Sequence, residues 1–247
     1  MRLFSWSILI QCIFFCECLY AQAAVVEAQN HFKAKEFSRV VAVLNPYLKQ
    51  QSADLEGLEL IADAYAHLEL WDEAIPKYRE LVDLQPKQAI FQYKYGGALA
   101  MKALTVSKWE ALPLVLEAKT AFLNATNLDV NHIDARWALV KIYTKLPFIL
   151  GGSTSKALRY ADELETLSEV DGCLAKGYIF DEQHNFEEAE FYFKKAVQIG
   201  GSETCYRELA NLYIRAGKKE KAKAVLQTGL RTLKSEALQN MLDDISQ

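Results

Sequence analysis

Residues 55–88, LEGLELIADAYAHLELWDEAIPKYRELVDLQPKQ, contain a set of aromatic and small residues at fixed steps. The set comprises Tyr65, Trp71, Ala74, Tyr78, Leu81 and Pro86. Similar residues occur 115 positions later, at Phe180, Phe186, Ala189, Phe193, Ala196 and Gly201, and a third set comprises Tyr213, Lys219, Ala222, Leu226 and Gly229. This recurrence predicts a helix-turn-helix unit of roughly 34 residues that is repeated along the chain.

Small residues predict where the two helices of a repeat touch. In residues 55–88 they are Ala62 in the first helix and Ala74 in the second, which we number as positions 8 and 20 of the repeat. Large apolar residues fill the space around that contact, and Pro86 ends the second helix because proline cannot continue one. Repeats of this type carry no chemistry of their own. Stacked together, they build a surface that holds other molecules.

The pattern resembles the tetratricopeptide repeat family over nearly all of the chain after residue 23. The resemblance implies an all-α fold, a right-handed α-solenoid of about six helix pairs with a C-terminal capping helix. We expect repeats near residues 24–52, 55–88, 89–130, 133–169, 170–202 and 203–234, followed by the capping helix over 235–247. Ser235 is the expected N-cap of that last helix, because its hydroxyl can accept a hydrogen bond from a backbone N–H group.

The third repeat departs from the pattern. The signature of its second helix, Ala118, Phe122 and Ala125, comes about ten residues late. The extra length lies around Leu104 to Pro113. We therefore expect a lengthened or broken helix pair there.

The fourth repeat carries about five extra residues in its turn, which lies within Leu146 to Ser153, LPFILGGS. Pro147 is expected to stop the first helix, and Ser153 or Thr154 to cap the second. The segment from Pro147 to Ala157 resembles an insert found in a subset of exported bacterial tetratricopeptide proteins. That resemblance implies a lineage more than an activity.

Two features of this insert each have two interpretations. The Gly151-Gly152-Ser153 turn is a structural turn, or it holds an anion on free backbone N–H groups at the start of a helix. The Phe148-Ile149-Leu150 run packs against a neighbouring repeat, or it forms an exposed tip that docks a partner.

Residues 1–23 are predicted to be a signal peptide. Arg2 gives a basic start, residues 3–16 are mostly apolar, and Ala21-Gln22-Ala23 presents small residues at the two positions that a signal peptidase recognises. Cleavage is expected after Ala23, so the protein is expected to be periplasmic or secreted. The alternative is a membrane anchor, although the apolar run falls short of the ~20 residues that span a bilayer.

The composition argues against a nucleic-acid partner. The formal net charge is −4, with both signs spread along the chain, whereas nucleic-acid binders normally show a basic excess. No stretch after Ala23 resembles a membrane span. Cys173 and Cys205 are the two cysteines that remain after the expected cleavage. In an oxidising compartment they form a disulfide, or they serve as small buried apolar residues.

No catalytic, cofactor-binding or metal-binding residue is predicted. The four histidines are scattered without metal-ligand spacing, a Gly-x-Ser-x-Gly elbow is absent, and the cysteines are not in a Cys-x-x-Cys arrangement. The sequence therefore predicts a protein that is not an enzyme and needs no cofactor.

The family resemblance implies a concave groove lined by positions 5, 9 and 13 of each first helix, which share one helical stripe because they are four apart. The groove residues expected to bind a peptide are Tyr93 in the third repeat, Trp137, Lys141 and Lys145 in the fourth, Tyr178 in the fifth, and Arg207, Asn211 and Arg215 in the sixth. Arg207 and Asn211 resemble part of the carboxylate clamp that some family members use for C-terminal tails. Aromatic anchors beside charged groups are typical of a peptide-binding surface.

The expected function is that of an exported, non-catalytic scaffold or adaptor. It would bind a peptide segment or helix of an envelope protein, with an acidic or C-terminal segment as the expected ligand. The alternative is an accessory subunit or small-ligand carrier of an envelope enzyme or transport system. In that case the expanded third repeat and the Gly151-Gly152-Ser153 turn would form a pocket.

Overall fold

The structure, a computed structural model, describes residues 23–246. The predicted signal peptide lies outside the described residues except for its last residue, Ala23. Every regular element within residues 23–246 is helical, so the predicted all-α fold is confirmed. The chain divides into two compact bodies. The N-terminal body runs to Asp129, and the C-terminal body begins at Val130.

The described part of the N-terminal body contains three helix pairs. Its helices are α1 (residues 23–33), α2 (Phe37–Leu48), α3 (Leu55–His67), α4 (Trp71–Leu84), α5 (Ala89–Ala103) and α6 (Lys108–Leu128). From α2 onward, each helix packs against the next one along the chain. This order is that of a stack of helical hairpins.

The C-terminal body contains three more pairs and a final helix. Its helices are α7 (Ile133–Lys145), α8 (Thr154–Leu167), α9 (Glu169–Glu182), α10 (Phe186–Gly200), α11 (Glu203–Arg215), α12 (Lys219–Thr232) and α13 (Glu236–Asp244). Helix α9 also packs against both α7 and α11, so the first helices of successive repeats are neighbours here. The expected six helix pairs and capping helix are thus confirmed over residues 23–246.

Position 8 needs a small residue because the second helix of the repeat crosses there. A Cβ atom added to Gly177 on α9 would lie 2.6 Å from Cδ1 of Phe193 on α10, closer than any two carbon atoms can pack. At Gly96 on α5, an added Cβ atom would lie 3.0 Å from Cε1 of Phe122 on α6. The spacing of small and aromatic residues in the sequence therefore records the contact between paired helices.

The short turn between paired helices has one conformation in four repeats. Lys35, Glu69, His184 and Gly217 each have a positive φ angle, between 57° and 68°. This left-handed conformation suits glycine, since other residues place Cβ too close to the backbone. Only the sixth repeat uses glycine there, so the other three turns contain a local strain.

The third repeat has a lengthened rather than a broken helix. Helix α6 is 21 residues long and runs through Pro113 without interruption. Its N-cap Ser107 and third helical residue Glu110 form a reciprocal capping box, which stabilises the early start. Trp109 in the first turn is 88% exposed, and Leu104 in the preceding turn is 78% exposed.

The turn of the fourth repeat contains a short 3-10 helix and a capped helix start. Helix α7 ends at Lys145, two residues before Pro147, and a 3-10 helix follows over Phe148–Leu150. Ser153 is the N-cap of α8, and its hydroxyl accepts a hydrogen bond from the Lys156 N–H. Phe148 and Ile149 are 88% and 87% exposed, so the interpretation in which they pack against a neighbouring repeat is wrong.

The cap closes the apolar core of the C-terminal body. Leu238 on α13 is fully buried among Tyr206, Ala210 and Leu226, and Ser235 accepts a hydrogen bond from the Leu238 N–H at 3.1 Å, as predicted. The remaining surface of α13 is mostly polar and exposed. Among residues 23–246, none of the helices has the length and apolar character needed to cross a membrane.

Candidate functional site

In the C-terminal body, the predicted groove residues lie on three neighbouring first helices: α7, α9 and α11. Each helix contributes one residue at position 5, one at position 9 and one at position 13. The residues that share a position on the three helices form a row. The three rows differ in how many of their side chains form hydrogen bonds, ion pairs or core contacts within the protein.

The position-13 row is held by ion pairs between helices. Lys145 on α7 places Nζ 2.7 Å from both carboxylate oxygens of Glu182 on α9. Arg215 on α11 forms a charged hydrogen bond with Asp181 on α9. Lys145 and Arg215, the two basic residues of this row, are therefore paired with acidic neighbours.

The position-5 row is engaged as well. The indole Nε1 of Trp137 donates a hydrogen bond to Asp171 at 2.8 Å, and its ring packs against the core of the C-terminal body. Leu174 is buried. Arg207 lies 3.7 Å from a carboxylate oxygen of Glu203 and 3.4 Å from one of Glu208, both on its own helix. Trp137 and Leu174 in this row are therefore structural, and Arg207 has acidic neighbours on its own helix.

The position-9 row, defined here as Lys141, Tyr178 and Asn211, is different. None of the residues described in the structure forms a hydrogen bond or ion pair with any of these three side chains. Within the part of the chain that the structure describes, the polar contact of Lys141 is with the face of the Trp137 ring, 5.9 Å from Nζ to the centroid. Burial, together with the nearby carboxylates of Glu182 and Asp181, raises the pKa of Tyr178 to about 12, so its hydroxyl stays protonated and can donate. The row therefore offers an ammonium, a phenol and an amide to a ligand.

A cavity of about 390 Å³ lies one helical turn beyond this row, at the C-terminal ends of α9 and α11. Its lining residues are Asp181, Glu182, His184, Phe186, Leu212, Arg215 and Ala216. The charged groups belong to the position-13 ion pairs, and the others include an apolar surface. The cavity can therefore take an apolar side chain near a polar rim.

Tyr93, the remaining predicted groove residue, lies in the N-terminal body on α5. Its ring is 5.9 Å from that of Phe122, and it is half-buried. Glu59 and Asp63, at positions 5 and 9 of the second repeat, are also engaged, because Lys94 lies 2.6 Å from both. Burial acts to lower the pKa of Lys94, but its hydrogen bonds to the two carboxylates outweigh burial and raise it. This lysine therefore stays charged and ties α5 to α3.

The Gly151-Gly152-Ser153 turn has the geometry of a structural turn. The Gly151 N–H donates to the Phe148 carbonyl at 2.9 Å, the Gly152 N–H to the Pro147 carbonyl at 3.0 Å, and the Ser153 N–H to the Tyr143 carbonyl at 2.9 Å. An anion would have to break these hydrogen bonds. The anion-site interpretation is therefore not supported.

Other candidate chemistry is sparse. Cys173 and Cys205 are free thiols and fully buried in one core, and burial raises the pKa of Cys173. They thus act as small apolar residues, the second of the two interpretations. Within residues 23–246, three or more His, Cys, Asp or Glu side chains nowhere converge as a metal site would require.

The ion pairs that distinguish the three rows were not predicted from the sequence. A signal for them was present, because Lys145 and Glu182 occupy the same position of adjacent repeats and carry opposite charges. Arg215 and Asp181 also carry opposite charges, and they are separated by 34 residues, the length of one repeat. Opposite charges one repeat apart therefore indicate which groove residues are engaged within the protein.

Comparison with known proteins confirms the resemblance predicted from the sequence. Residues 182–245 match the family model for the tetratricopeptide repeat. A tetratricopeptide repeat protein from Parabacteroides merdae superposes with a TM-score of 0.69 at 14% identity, covering 92% of this chain and 86% of that one. No curated protein sequence matches the chain.

Two further solved structures share the fold. YrrB, described as a tetratricopeptide repeat protein with an unusual peptide-binding site, has a TM-score of 0.57 and 18% identity, covering 79% of this chain and 90% of that one. Pseudomonas aeruginosa PilF has a TM-score of 0.58 and 14% identity, covering 92% of this chain and 99% of that one. At these identities the likeness shows the fold alone.

Proposed function

We propose that this chain, whose described residues have the tetratricopeptide repeat fold, is a non-catalytic scaffold that holds an extended segment of another protein along the position-9 row. One observation carries the proposal. Lys141, Tyr178 and Asn211 have no hydrogen-bonding or ionic partner within the described protein, while the rows on both sides of them are engaged. Polar groups that folding leaves unused on neighbouring helices are free to contribute their hydrogen bonds to a ligand.

The chemistry of the row favours an acidic or C-terminal segment. The Lys141 ammonium pairs with a carboxylate, and its position over Trp137 restricts where that carboxylate binds. The Asn211 amide both donates and accepts, which matches a peptide group. The ring of Tyr178 lies between the two and packs against an apolar side chain of the ligand.

The length of the segment follows from helix spacing. Packed helices lie ~10 Å apart, so α7 and α11 are separated by ~20 Å if their axes are evenly spaced. An extended chain covers ~3.3 Å per residue, so about six residues bridge Lys141 and Asn211. The cavity beyond the row then receives an apolar side chain from one end of the segment.

The proposed location of this scaffold is the cell envelope or the exterior. The N-terminal sequence supports it, through the basic residue, apolar run and Ala21-Gln22-Ala23. The test is N-terminal sequencing of the protein recovered from its native cells. A chain that begins at Ala24, or within a few residues of it, is expected, and an intact Met1 would contradict export.

The binding proposal is tested with a displayed library of random peptides about six residues long, presented either internally or with free C-termini. Selection on the full chain should enrich Asp, Glu or a free carboxylate together with one apolar residue. The variant K141E/N211A should then bind the enriched peptides at least about tenfold more weakly, because a charge is reversed and an amide is lost.

A matched control is available elsewhere in the C-terminal body. K234E/N240A makes the same two changes at exposed positions after α12 and on α13. It should bind the enriched peptides as the unchanged protein does. Failure to enrich any peptide motif, or equal binding by K141E/N211A, would contradict the proposal and move attention to another surface.

The cavity gives some support to the second candidate, a small-ligand carrier or accessory subunit. Its volume of about 390 Å³ is within the range of small-molecule sites, ~300–1,000 Å³. Mass spectrometry of the denatured full chain should then reveal a stoichiometric small molecule, which A216W would displace by filling the cavity from an exposed position. Absence of such a molecule from freshly purified protein would count against a carrier.

A further inference from the structure

The turn of the fourth repeat displays two large apolar side chains on a rigid support. Phe148 and Ile149 are 88% and 87% exposed, although backbone N–H groups on both sides of them are hydrogen-bonded. The Leu150 N–H donates to the Pro147 carbonyl at 2.9 Å, and the next three N–H groups are also hydrogen-bonded within the turn or to α7. The hydrogen-bonded turn therefore holds these two side chains in exposed positions.

Single exposed apolar residues are common on protein surfaces, whereas adjacent ones form a contiguous apolar patch of the kind that marks interaction sites. We call Phe148 and Ile149 the apolar tip. Because the tip projects from a helical hairpin, it can bind either in a lipid bilayer or in an apolar pocket of another protein. Leu150, the next residue, is half-buried.

The charge around the tip is one-sided. Residues 135–161 contain five basic residues and no acidic one. Acidic groups from outside this stretch neutralise part of that charge, because Glu182 pairs with Lys145, and Glu163 lies near both Arg136 and Arg159.

The Lys156 ammonium, eight residues after Phe148 in the chain, forms no ion pair with any residue that the structure describes. Lys156 lies in the first turn of α8, and within residues 23–246 its Nζ contacts the face of the Tyr143 ring, 5.4 Å from the centroid. A cation is not the residue that the start of a helix favours. The positive end of the helix dipole disfavours it, and a Glu at the same position would complete a capping box with Ser153. Ser107 and Glu110 form such a box at the start of α6.

We propose that the apolar tip inserts into the interface of an anionic phospholipid bilayer, with Lys156 held at the lipid phosphates. Aromatic and aliphatic side chains partition into the boundary between head groups and acyl chains, while a lysine extends its amine to the surface. A protein pocket would need complementary polar partners around the tip, whereas the unpaired Lys156 matches a surface of uniformly negative charge. This contact is peripheral and independent of the position-9 row.

The test is co-sedimentation of the full chain with vesicles, at a lipid concentration at which half of the protein is bound. The vesicles contain one-third phosphatidylglycerol and two-thirds phosphatidylcholine, and a second set contains phosphatidylcholine alone. F148S/I149S should lower the partition coefficient on anionic vesicles at least about tenfold, because two apolar side chains no longer enter the interface. Binding to neutral vesicles should be several times weaker for the unchanged protein.

The matched control for the tip is F191S/I199S, which removes one exposed Phe and one exposed Ile from α10. It should bind anionic vesicles like the unchanged protein. K156E should lower the partition coefficient about tenfold, and K234E, with the same change in net charge, should have much less effect. Because K156E completes the capping box, its thermal midpoint should not fall, which separates lost binding from lost folding.

Several outcomes would overturn the membrane proposal. They are no vesicle binding by the unchanged protein, equal binding to neutral and anionic vesicles, or full binding by F148S/I149S. If vesicles are not bound but the tip crosslinks to a defined protein, the tip is a protein-docking element instead. K141E/N211A should bind vesicles nearly as the unchanged protein does, so failure of the peptide proposal and failure of this one are distinguishable.

Discussion

Lys145, the last residue of α7, holds Glu182, the last residue of α9, with its Nζ 2.7 Å from both carboxylate oxygens. The two residues occupy the same position of successive repeats. The pair joins neighbouring first helices along the surface that a ligand would use. It therefore reduces the free charge on this surface and also links the two repeats.

The energy of this pair is expected to be small, because the Lys145 side chain is 60% exposed. Exposed pairs typically contribute 0.2–1 kcal/mol, so K145E should lower the free energy of unfolding by roughly 1 kcal/mol. The reversed pair K145E/E182K should regain most of that loss. Urea melts of the two single variants and the double variant measure the coupling energy, and a swap that regains nothing would show that the pair is not formed in solution.

A second prediction concerns the contact between paired helices in the C-terminal body. Ala189 on α10 is fully buried in the core that contains Phe193 and Leu209. A189W should overpack that core and cost ~1–3 kcal/mol. Q198W, at an exposed position of the same helix, should change stability by less than ~0.5 kcal/mol. Equal denaturant midpoints for the two variants would mean that the repeat register is wrong.

The contacts between paired helices and the capping of the last helix could be predicted from the sequence. Positions 8 and 20 were predictable because close helix packing excludes large side chains there, and Gly177 against Phe193 shows that constraint. The cap by Ser235 was predictable because N-capping is a local interaction. Both depend on residues that are near in the chain or fixed by the repeat.

The engagement of the groove residues was not predictable from one repeat considered alone. Whether Arg215 is available depends on Asp181, which lies on the preceding first helix. The exposure of Phe148 also depends on a turn whose hydrogen bonds return to Tyr143 and Pro147. Such properties arise from tertiary placement, which composition and periodicity do not encode.

The strained turns give a third prediction. His184 has a φ angle of 59°, whereas the equivalent residue of the sixth repeat is Gly217 with a φ angle of 68°. The left-handed conformation costs a non-glycine residue ~1–2 kcal/mol, partly offset by the entropy that glycine loses on folding. H184G should therefore stabilise the protein by roughly 0.5–1 kcal/mol.

The reciprocal variant G217A provides the comparison. It should destabilise the protein by ~1 kcal/mol, because nothing else crowds the position and the cost is purely conformational. Thermal or urea melts of both variants are sufficient. If both changes shift stability in the same direction, the turn conformation assigned to these residues is incorrect.

The fourth prediction concerns acid stability and Glu190 on α10. Burial acts to raise its pKa, but hydrogen bonds from Lys194 at 2.6 Å and the Tyr213 hydroxyl at 2.7 Å outweigh burial and lower the pKa to about 2. A carboxyl group with a lowered folded pKa stabilises the protein above its unfolded pKa, and that contribution is lost as the pH falls towards the folded value. The affected window is therefore from about pH 4.5 down to about pH 2.

E190Q should be less stable than the unchanged protein at neutral pH, by up to roughly 3 kcal/mol. The difference should shrink as the pH falls through the window, because the carboxyl group becomes protonated in both states. Urea midpoints of both proteins at pH 7 and near pH 3 measure this. A difference that stays constant with pH would show that the Glu190 charge does not matter to folding.

The last prediction links the ion pairs to the proposed peptide site. Arg215 is 51% exposed but is bound by Asp181, one helical turn from the position-9 row. D181N should release the Arg215 charge and strengthen binding of the acidic peptides selected on the full chain by about threefold. R215A should weaken it by a similar factor, because Asp181 is then left as an uncompensated negative charge.

The double variant D181N/R215A should bind the same peptides as the unchanged protein does, since the two charge changes cancel. D244N alters the net charge by the same amount as D181N, but at an exposed position on α13, and should have no effect beyond general screening. Because the contrast is electrostatic, it should fade in high salt, where the screening length falls to ~3 Å at 1 M. Single variants that shift affinity in the same direction, or a contrast that survives high salt, would mean that the ligand is not held beside this ion pair.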